Sequence, residues 1–174
     1  MRKPVFAAPK GATRKLSSFQ RVMLRTGRQP SECHCRRCQQ QCITPCLGTP
    51  DDILRLMDAG YMDRLTITDW AAGILMGVTR HLLTFIQADM LTDEKERRTR
   101  CTFFHDGRCE LHEKGLKPTE GKLSHHSIRI DNFRAGRSLS WAVAQEWLEP
   151  ENREKVLEVF RRYEEYQKRK YKDI

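Results

Sequence analysis

The stretch Cys33-His34-Cys35-Arg36-Arg37-Cys38-Gln39-Gln40-Gln41-Cys42-Ile43-Thr44-Pro45-Cys46-Leu47-Gly48-Thr49-Pro50-Asp51-Asp52-Ile53-Leu54-Arg55-Leu56-Met57-Asp58-Ala59-Gly60 joins two unlike pieces. Its first half sets five cysteines within fourteen residues and is otherwise polar. Such a segment is expected to be irregular, shaped by ligands rather than by packing. The second half carries the local signals of a helix. Thr49 is a natural N-cap, Pro50 suits the first helical position, and Asp51 and Asp52 complement the positive helix end. Ile53, Leu54, Leu56 and Met57 supply an apolar face, and Gly60 can end the helix in the left-handed region. A helix is therefore predicted over residues 50–59, clamping the cysteine segment onto the core.

Upstream, residues 1–14 lack periodicity and contain Pro4, Pro9 and Gly11, so they read as disordered. A short helix is predicted over 16–26, with Ser17 or Ser18 as cap and Phe19, Val22 and Met23 on one face. Downstream, residues 61–92 allow two readings. Thr68-Asp69-Trp70 can cap a helix through Ile74, Leu75, Val78, Leu82 and Phe85, whereas Gly73, Gly77 and the β-branched residues favour short strands. Residues 92–100 form a charged loop. Residues 114–132 are polar. Two helices close the chain, one over 139–148 with Leu139, Val143 and Trp147 in register. The other covers 150–170, with Val156, Val159, Phe160, Tyr163 and Tyr166 on one stripe. No internal repeat is present.

Cys101-Thr102-Phe103-Phe104-His105-Asp106-Gly107-Arg108-Cys109 reads as a β-hairpin around Asp106-Gly107. A two-residue loop pairs His105 with Arg108 and Phe104 with Cys109. Continued along both strands, that ladder puts Cys101 and Cys109 on opposite faces. A three-residue loop with Gly107 left-handed pairs Phe103 with Cys109 and puts both cysteines on one face. Shared ligation by Cys101 and Cys109 is therefore expected to need the three-residue form.

These elements make an α+β, helix-rich chain, expected as a small irregular metal-stapled domain with a short β-hairpin and C-terminal helices. Residues 1–31 are read as a basic, partly disordered N-terminal arm. The cysteine-cluster domain covers 32–130, and the C-terminal helices, packed on the core, cover 131–174. The net charge of +9 is unevenly spread. Residues 1–31 hold Arg2, Lys3, Lys10, Arg14, Lys15, Arg21, Arg25 and Arg28 and no acid, leaving a nearly neutral body of 24 basic and 23 acidic residues. Such an arm suits phosphates of nucleic acid or an anionic protein partner, and equally a solvated terminus.

No apolar run reaches the roughly 18 residues of a membrane span, and the N-terminus has no apolar signal region. The chain is expected in the cytoplasm, without a membrane partner. There, seven cysteines, an odd number, are poor disulfide candidates. A buried apolar role serves for one cysteine but not for five spaced by one to three residues.

Closely spaced thiolates bind zinc tetrahedrally and also carry iron–sulfur clusters. Cys35-x-x-Cys38 is a chelating bite, Cys38, Cys42 and Cys46 offer a second, and Cys101 and Cys109 complete a centre from across the domain. Cys33 and His112 extend the ligand set to eight donors, enough for two four-ligand sites or one cluster with spares. Zinc in a structural role is the first choice, with iron or an iron–sulfur cluster as the alternative. A closed thiolate shell contributes directly to folding, so metal removal is expected to unfold the core. No glycine-rich nucleotide motif, nucleophile elbow or obvious carboxylate pair points to an enzyme.

The order of these motifs resembles the YkgJ-type cysteine-cluster family, described as zinc- or iron-chelating domains. Cys35, Cys38, Cys42 and Cys46 look like its dense first cluster, and Asp52-Ile53 like its helix opening. Cys101-Thr102-Phe103-Phe104 and Cys109-Glu110-Leu111-His112-Glu113 resemble its next two elements. Lys117-Pro118-Thr119-Glu120-Gly121-Lys122 resembles the last, with Gly121 where the family has cysteine. The resemblance covers roughly residues 33–122 and implies metal binding, with a missing ligand that His112, His125, His126 or the extra cysteine replaces. Three roles follow as expectations: a metal-binding protein, an iron–sulfur redox or enzyme component, or a nucleic-acid-binding module using the arm.

Overall fold

The computed structural model describes residues 15–30, 33, 35–36, 38, 46–70, 73–78, 101–124 and 138–172. In chain order these form α1 (Ser18–Thr26), β1 (Cys46–Leu47), α2 (Pro50–Asp58), β2 (Leu65–Trp70), β3 (Gly73–Val78), β4 (Phe104–His105), β5 (Arg108–Cys109), α3 (Glu110–Glu113), α4 (Thr119–Leu123), α5 (Leu139–Gln145) and α6 (Arg153–Lys172). The architecture is α+β and helix-rich. Among the described residues no helix is long and apolar enough to cross a membrane.

The start of α2 follows from its sequence. The Thr49 hydroxyl accepts from the Asp52 N–H, and the Asp52 carboxylate accepts from the Thr49 N–H at 3.0 Å, a reciprocal capping box. After the helix, Gly60 takes φ +84°, a left-handed backbone that glycine adopts without a Cβ penalty. Asp52 also reaches outside its helix. It is buried, and its Oδ2 accepts from the Thr119 N–H at 2.9 Å, fastening the start of α2 to the start of α4. Gly48 lets the chain pass close to this helix, because a Cβ there would lie 2.8 Å from Ile53 Cδ1. Trp147 seals this buried corner, its indole N–H donating to the Gly48 carbonyl at 2.9 Å.

Ile53, Leu56 and Met57 on α2 build the larger apolar cluster with Leu65, Phe103, Leu111, Ala144, Trp147, Val159 and Tyr163. The stripe predicted on the last helix faces this cluster, with Val156 and Phe160 packed beside Val159 and Tyr163. Ion pairs fix α6 against both ends of α2, Lys155 to Asp51 and Arg162 to Asp58, each at 2.6 Å. Lys155 also holds the Asp51 carboxyl below its usual range despite partial burial. The preceding helix is shorter than predicted, ending at Gln145, and a 3-10 turn at Pro150–Asn152 leads into α6.

A smaller cluster joins Val22 of α1 to Leu123, Leu139, Ala142 and Val143. The predicted helix over 16–26 is thus present with Ser17 as its cap, and it belongs to the core. This alters the reading of the basic arm. All four basic residues of 1–31 that lie among the described residues already have protein partners. Lys15 pairs with Glu151 at 3.4 Å, Arg21 with Glu146 at 2.5 Å and Arg25 with Glu146 at 2.7 Å, while Arg28 donates to the Leu123 carbonyl at 3.4 Å. Three of the arm's eight basic residues are therefore paired with acids of the same chain.

Strands, rather than a helix, form beyond residue 64. β2 and β3 pair antiparallel from Leu65↔Val78 to Trp70↔Gly73, and β1 adds to the other edge of β3 through Cys46↔Val78 and Leu47↔Gly77. Two glycines, each costing a helix about 1 kcal/mol, and β-branched neighbours explain the choice. Leu82, Phe85, the loop at 92–100 and the terminal residues 1–14 lie outside the described residues.

Phe103 is the most completely buried aromatic side chain of the larger cluster. Tyr61 meets its ring edge-on with centroids 5.1 Å apart, and the Arg64 guanidinium lies 3.6 Å above its face. Phe103→Ala is expected to lower unfolding stability by about 3–5 kcal/mol, the range for emptying a buried aromatic site. Urea denaturation reads this directly, and an unchanged midpoint would refute the packing role.

Candidate metal centre

Among the described cysteines one group is close enough to share an ion, the thiols of Cys33, Cys35 and Cys38 all lying within 4.8 Å of one another. Cys38 is buried, Cys33 half-buried and Cys35 exposed, so the group opens towards solvent on one side. Arg36 and Cys38 have helical backbone, where the segment was expected to be irregular. Helical spacing brings Cys35 and Cys38 onto one face, since residues three apart are neighbours there. A tetrahedral thiolate shell with bonds of about 2.3 Å needs sulfurs about 3.8 Å apart. The three thiols approach that spacing without rearranging the chain. They could hold a metal ion.

The other three described cysteines, which form no such group, come from distant segments. Cys46 comes from β1, Cys109 from β5, and Cys101 from the turn that precedes β4. Cys101 is part of the larger apolar cluster, and Cys46 and Cys109 pack against that cluster. Burial pushes the Cys46 thiol well above its ordinary value, and the charges of Glu120, Cys101 and Cys109 push it the same way. Lys117 opposes them.

How Cys101 reaches this place corrects the expectation about the hairpin. The loop has two residues, pairing His105 with Arg108 and Phe104 with Cys109. Both loop residues are left-handed, Asp106 at φ 48° and Gly107 at φ 78°, which matches the twist a two-residue hairpin requires. The three-residue form does not occur. The opposite-faces argument assumed that the ladder continues to Cys101, but the Phe104 N–H donates to the Cys101 carbonyl at 3.1 Å. The ladder's last bond runs from the Glu110 N–H to the Phe103 carbonyl at 2.8 Å, and the turn curls residues 101 and 102 away beyond it, freeing Cys101 from strand alternation.

Arg64 holds the two arms of this hairpin together. It donates to the Thr102 carbonyl at 2.6 Å and to Glu110 Oε2 at 2.9 Å, beside Cys101 and Cys109 respectively. Lys114 and the Tyr61 hydroxyl bond the same carboxylate, at 2.7 and 2.9 Å. Lys114 first, then Arg64 and Tyr61, hold the Glu110 carboxyl down to about 2. A permanently ionised Glu110 keeps the clamp closed across the ordinary pH range. On the other side, Glu120 positions Cys46. Its Oε2 accepts from the Leu47 N–H at 2.5 Å and its Oε1 accepts from the Ser140 hydroxyl, tying β1 to α4 and α5. Burial raises the Glu120 carboxyl above its ordinary value.

Of the remaining expected donors, His112 lies half-buried on α3, three residues after Cys109. Cys42, His125 and His126 lie outside the described residues. Sequence reasoning missed Arg64, Glu120 and Glu146. Only Glu146 left a signal, because it interrupts an apolar helix register one position before Trp147, and a buried charge is rarely left unpaired. Comparison with protein-family models, with curated proteins and with solved structures finds no match for this chain.

Proposed function

We propose that the chain is a metal-binding protein with cysteine-ligated centres, zinc being the metal that suits the donors best. The observation that carries this is the convergence of the Cys33, Cys35 and Cys38 thiols within 4.8 Å. Cys42, Cys46, Cys101, Cys109 and His112 are the further donors the sequence offers. The metal, once bound, stabilises thiolate charge and fastens the segments that carry the ligands. The protein's own contribution is preorganisation. Arg64 and Glu110 set the hairpin, and Glu120 sets β1, before any ion arrives. The resemblance to YkgJ-type cysteine-cluster proteins supports the same reading, and a cytoplasmic setting suits reduced thiols.

Elemental analysis and a visible spectrum of one anaerobically purified sample test the proposal. Stoichiometric zinc and no visible band are the expected result. Iron with acid-labile sulfide would replace zinc with an iron–sulfur centre, and no metal would overturn the reading. Arg21 and Arg25 of α1 pair with Glu146, so this helix adds no support for nucleic-acid binding, and that role is not proposed.

Metal removal is expected to be milder than the unfolding anticipated above. Neither apolar cluster contains Cys33, Cys35 or Cys38. Chelation should therefore lower the melting temperature and leave the far-ultraviolet helix signal, which comes chiefly from α2 and α6. Complete loss of that signal on chelation would show that metal, not packing, holds the helices.

A further inference from the structure

Thiols close enough to share an ion are also close enough to bond to one another. Those of Cys33, Cys35 and Cys38 lie within 4.8 Å, and a disulfide closes to about 2 Å. Cys35 and Cys38 stand three residues apart where the backbone turns into helix, the separation at which side chains on one face are neighbours. Closing the gap takes side-chain rotation and a small backbone shift. That shift disturbs little, because neither apolar cluster contains these residues. Access within this surface trio is uneven, with Cys35 exposed, Cys33 half-buried and Cys38 buried. Oxidation of cysteine follows thiolate character and exposure. A metal is bound by thiolates, so the loaded trio presents one to solvent at Cys35 with another beside it at Cys38. This is the arrangement of an attacking and a resolving cysteine. The other described cysteines lack it, because Cys101 is buried in the larger apolar cluster and Cys46 and Cys109 pack against that cluster.

We infer that the surface trio is a peroxide-responsive metal site, in which oxidation joins Cys35 to Cys38 and releases the ion. The Cys35 thiolate attacks one peroxide oxygen. The O–O bond breaks, leaving a sulfenic acid on Cys35 and a hydroxide that takes up a proton and departs as water. The Cys38 thiolate then attacks the Cys35 sulfur. The S–S bond forms, the S–O bond breaks, and a second protonated hydroxide leaves as water. The two sulfurs lose two electrons in all, hydrogen peroxide gains them, and zinc leaves as the divalent ion it was. Two anionic ligands vanish together, which is why the ion departs. The inference rests on the metal-binding reading and adds to it what controls the site. Since the core does not include the trio, the helices should stay folded and a dithiol reductant should restore binding.

The test treats the intact, reduced, zinc-loaded chain with hydrogen peroxide, reading released zinc with a chromophoric indicator and disulfides by peptide mass spectrometry. Trypsin cuts after Arg36 and Arg37, so Cys35 and Cys38 leave on separate peptides that the disulfide holds together. Fragmentation between Cys33 and Cys35 identifies which of the two is bonded. The expected result is zinc release in step with a Cys35–Cys38 disulfide, an unchanged helix signal, and rebinding of zinc after dithiothreitol treatment. In metal-free Cys35→Ser the peroxide-formed disulfide should be lost and Cys38 should stay reduced. Zinc retained after peroxide, or released with the disulfide formed elsewhere, overturns the inference alone. No zinc bound before peroxide overturns the metal reading with it. Should Cys35→Ser fail to fold, the wild-type peptide map decides the question by itself.

Discussion

Glu146→Ala is expected to lower the unfolding free energy by about 3–5 kcal/mol, the cost of leaving buried charge without its partner. Glu146 is fully buried at 0 % exposure. Its Oε2 accepts from Arg21 at 2.5 Å, its Oε1 from Arg25 at 2.7 Å, and Asn152 Nδ2 donates to it at 3.1 Å. The bond to Glu146 is the main reason the Arg21 guanidinium holds its proton more tightly than usual. Removing the carboxylate leaves Arg21, only 17 % exposed, with the more distant Glu151 as its remaining acid. The same change unfastens α1 from the region of α5. Glu146→Gln keeps the shape and some hydrogen bonds, so its loss should be smaller. Chemical denaturation of both variants checks the ranking. A loss under about 1 kcal/mol for the alanine variant would place this group among exposed pairs of little worth.

Cys38→Ser is expected to weaken zinc binding at the surface trio by more than the 10–100-fold typical of changes to supporting residues. Cys38 is the buried member of the three, and the other two thiols lie within 4.8 Å of it. A serine hydroxyl is a hard donor that stays protonated at neutral pH, so it replaces neither the charge nor the softness of the thiolate. Competition against a chromophoric chelator measures the change. The melting temperature of the metal-free variant should match that of the metal-free wild type, because Cys38 belongs to neither apolar cluster. Equal affinity in variant and wild type would mean that this trio is not where the metal sits.

The two expectations differ in what they could have been drawn from. The cysteine effect follows from spacing, since ligands at i, i+2 and i+5 stay close in any compact backbone. The Glu146 effect does not, because its partners lie more than a hundred residues away in sequence. The same distinction runs through the fold. Helix α2 could be read residue by residue, from the Thr49 cap to Gly60, because capping and periodicity act within one or two turns. β2 and β3 stood level with a helix in the sequence, since what favours strands there is pairing with β1 and with each other. The hairpin shows the limit most sharply. Asp106-Gly107 announced the turn, yet the facing of Cys101 depended on a carbonyl bond just outside the strands.

By itself, the sequence determined that thiols would cluster, where α2 would start and which faces α1, α2 and α6 would bury. These are short-range matters, decided by caps, glycines, helical period and ligand spacing. Only the tertiary structure decided that Cys101 leaves the hairpin ladder to join the larger apolar cluster and that three of the arm's basic residues pair with acids of the same chain. It also decided that Gly121 stands beside Cys46. Those outcomes depend on charges and sulfurs meeting across long stretches of chain. Burial then makes each meeting count, because an unpaired charge away from water costs far more than one at the surface.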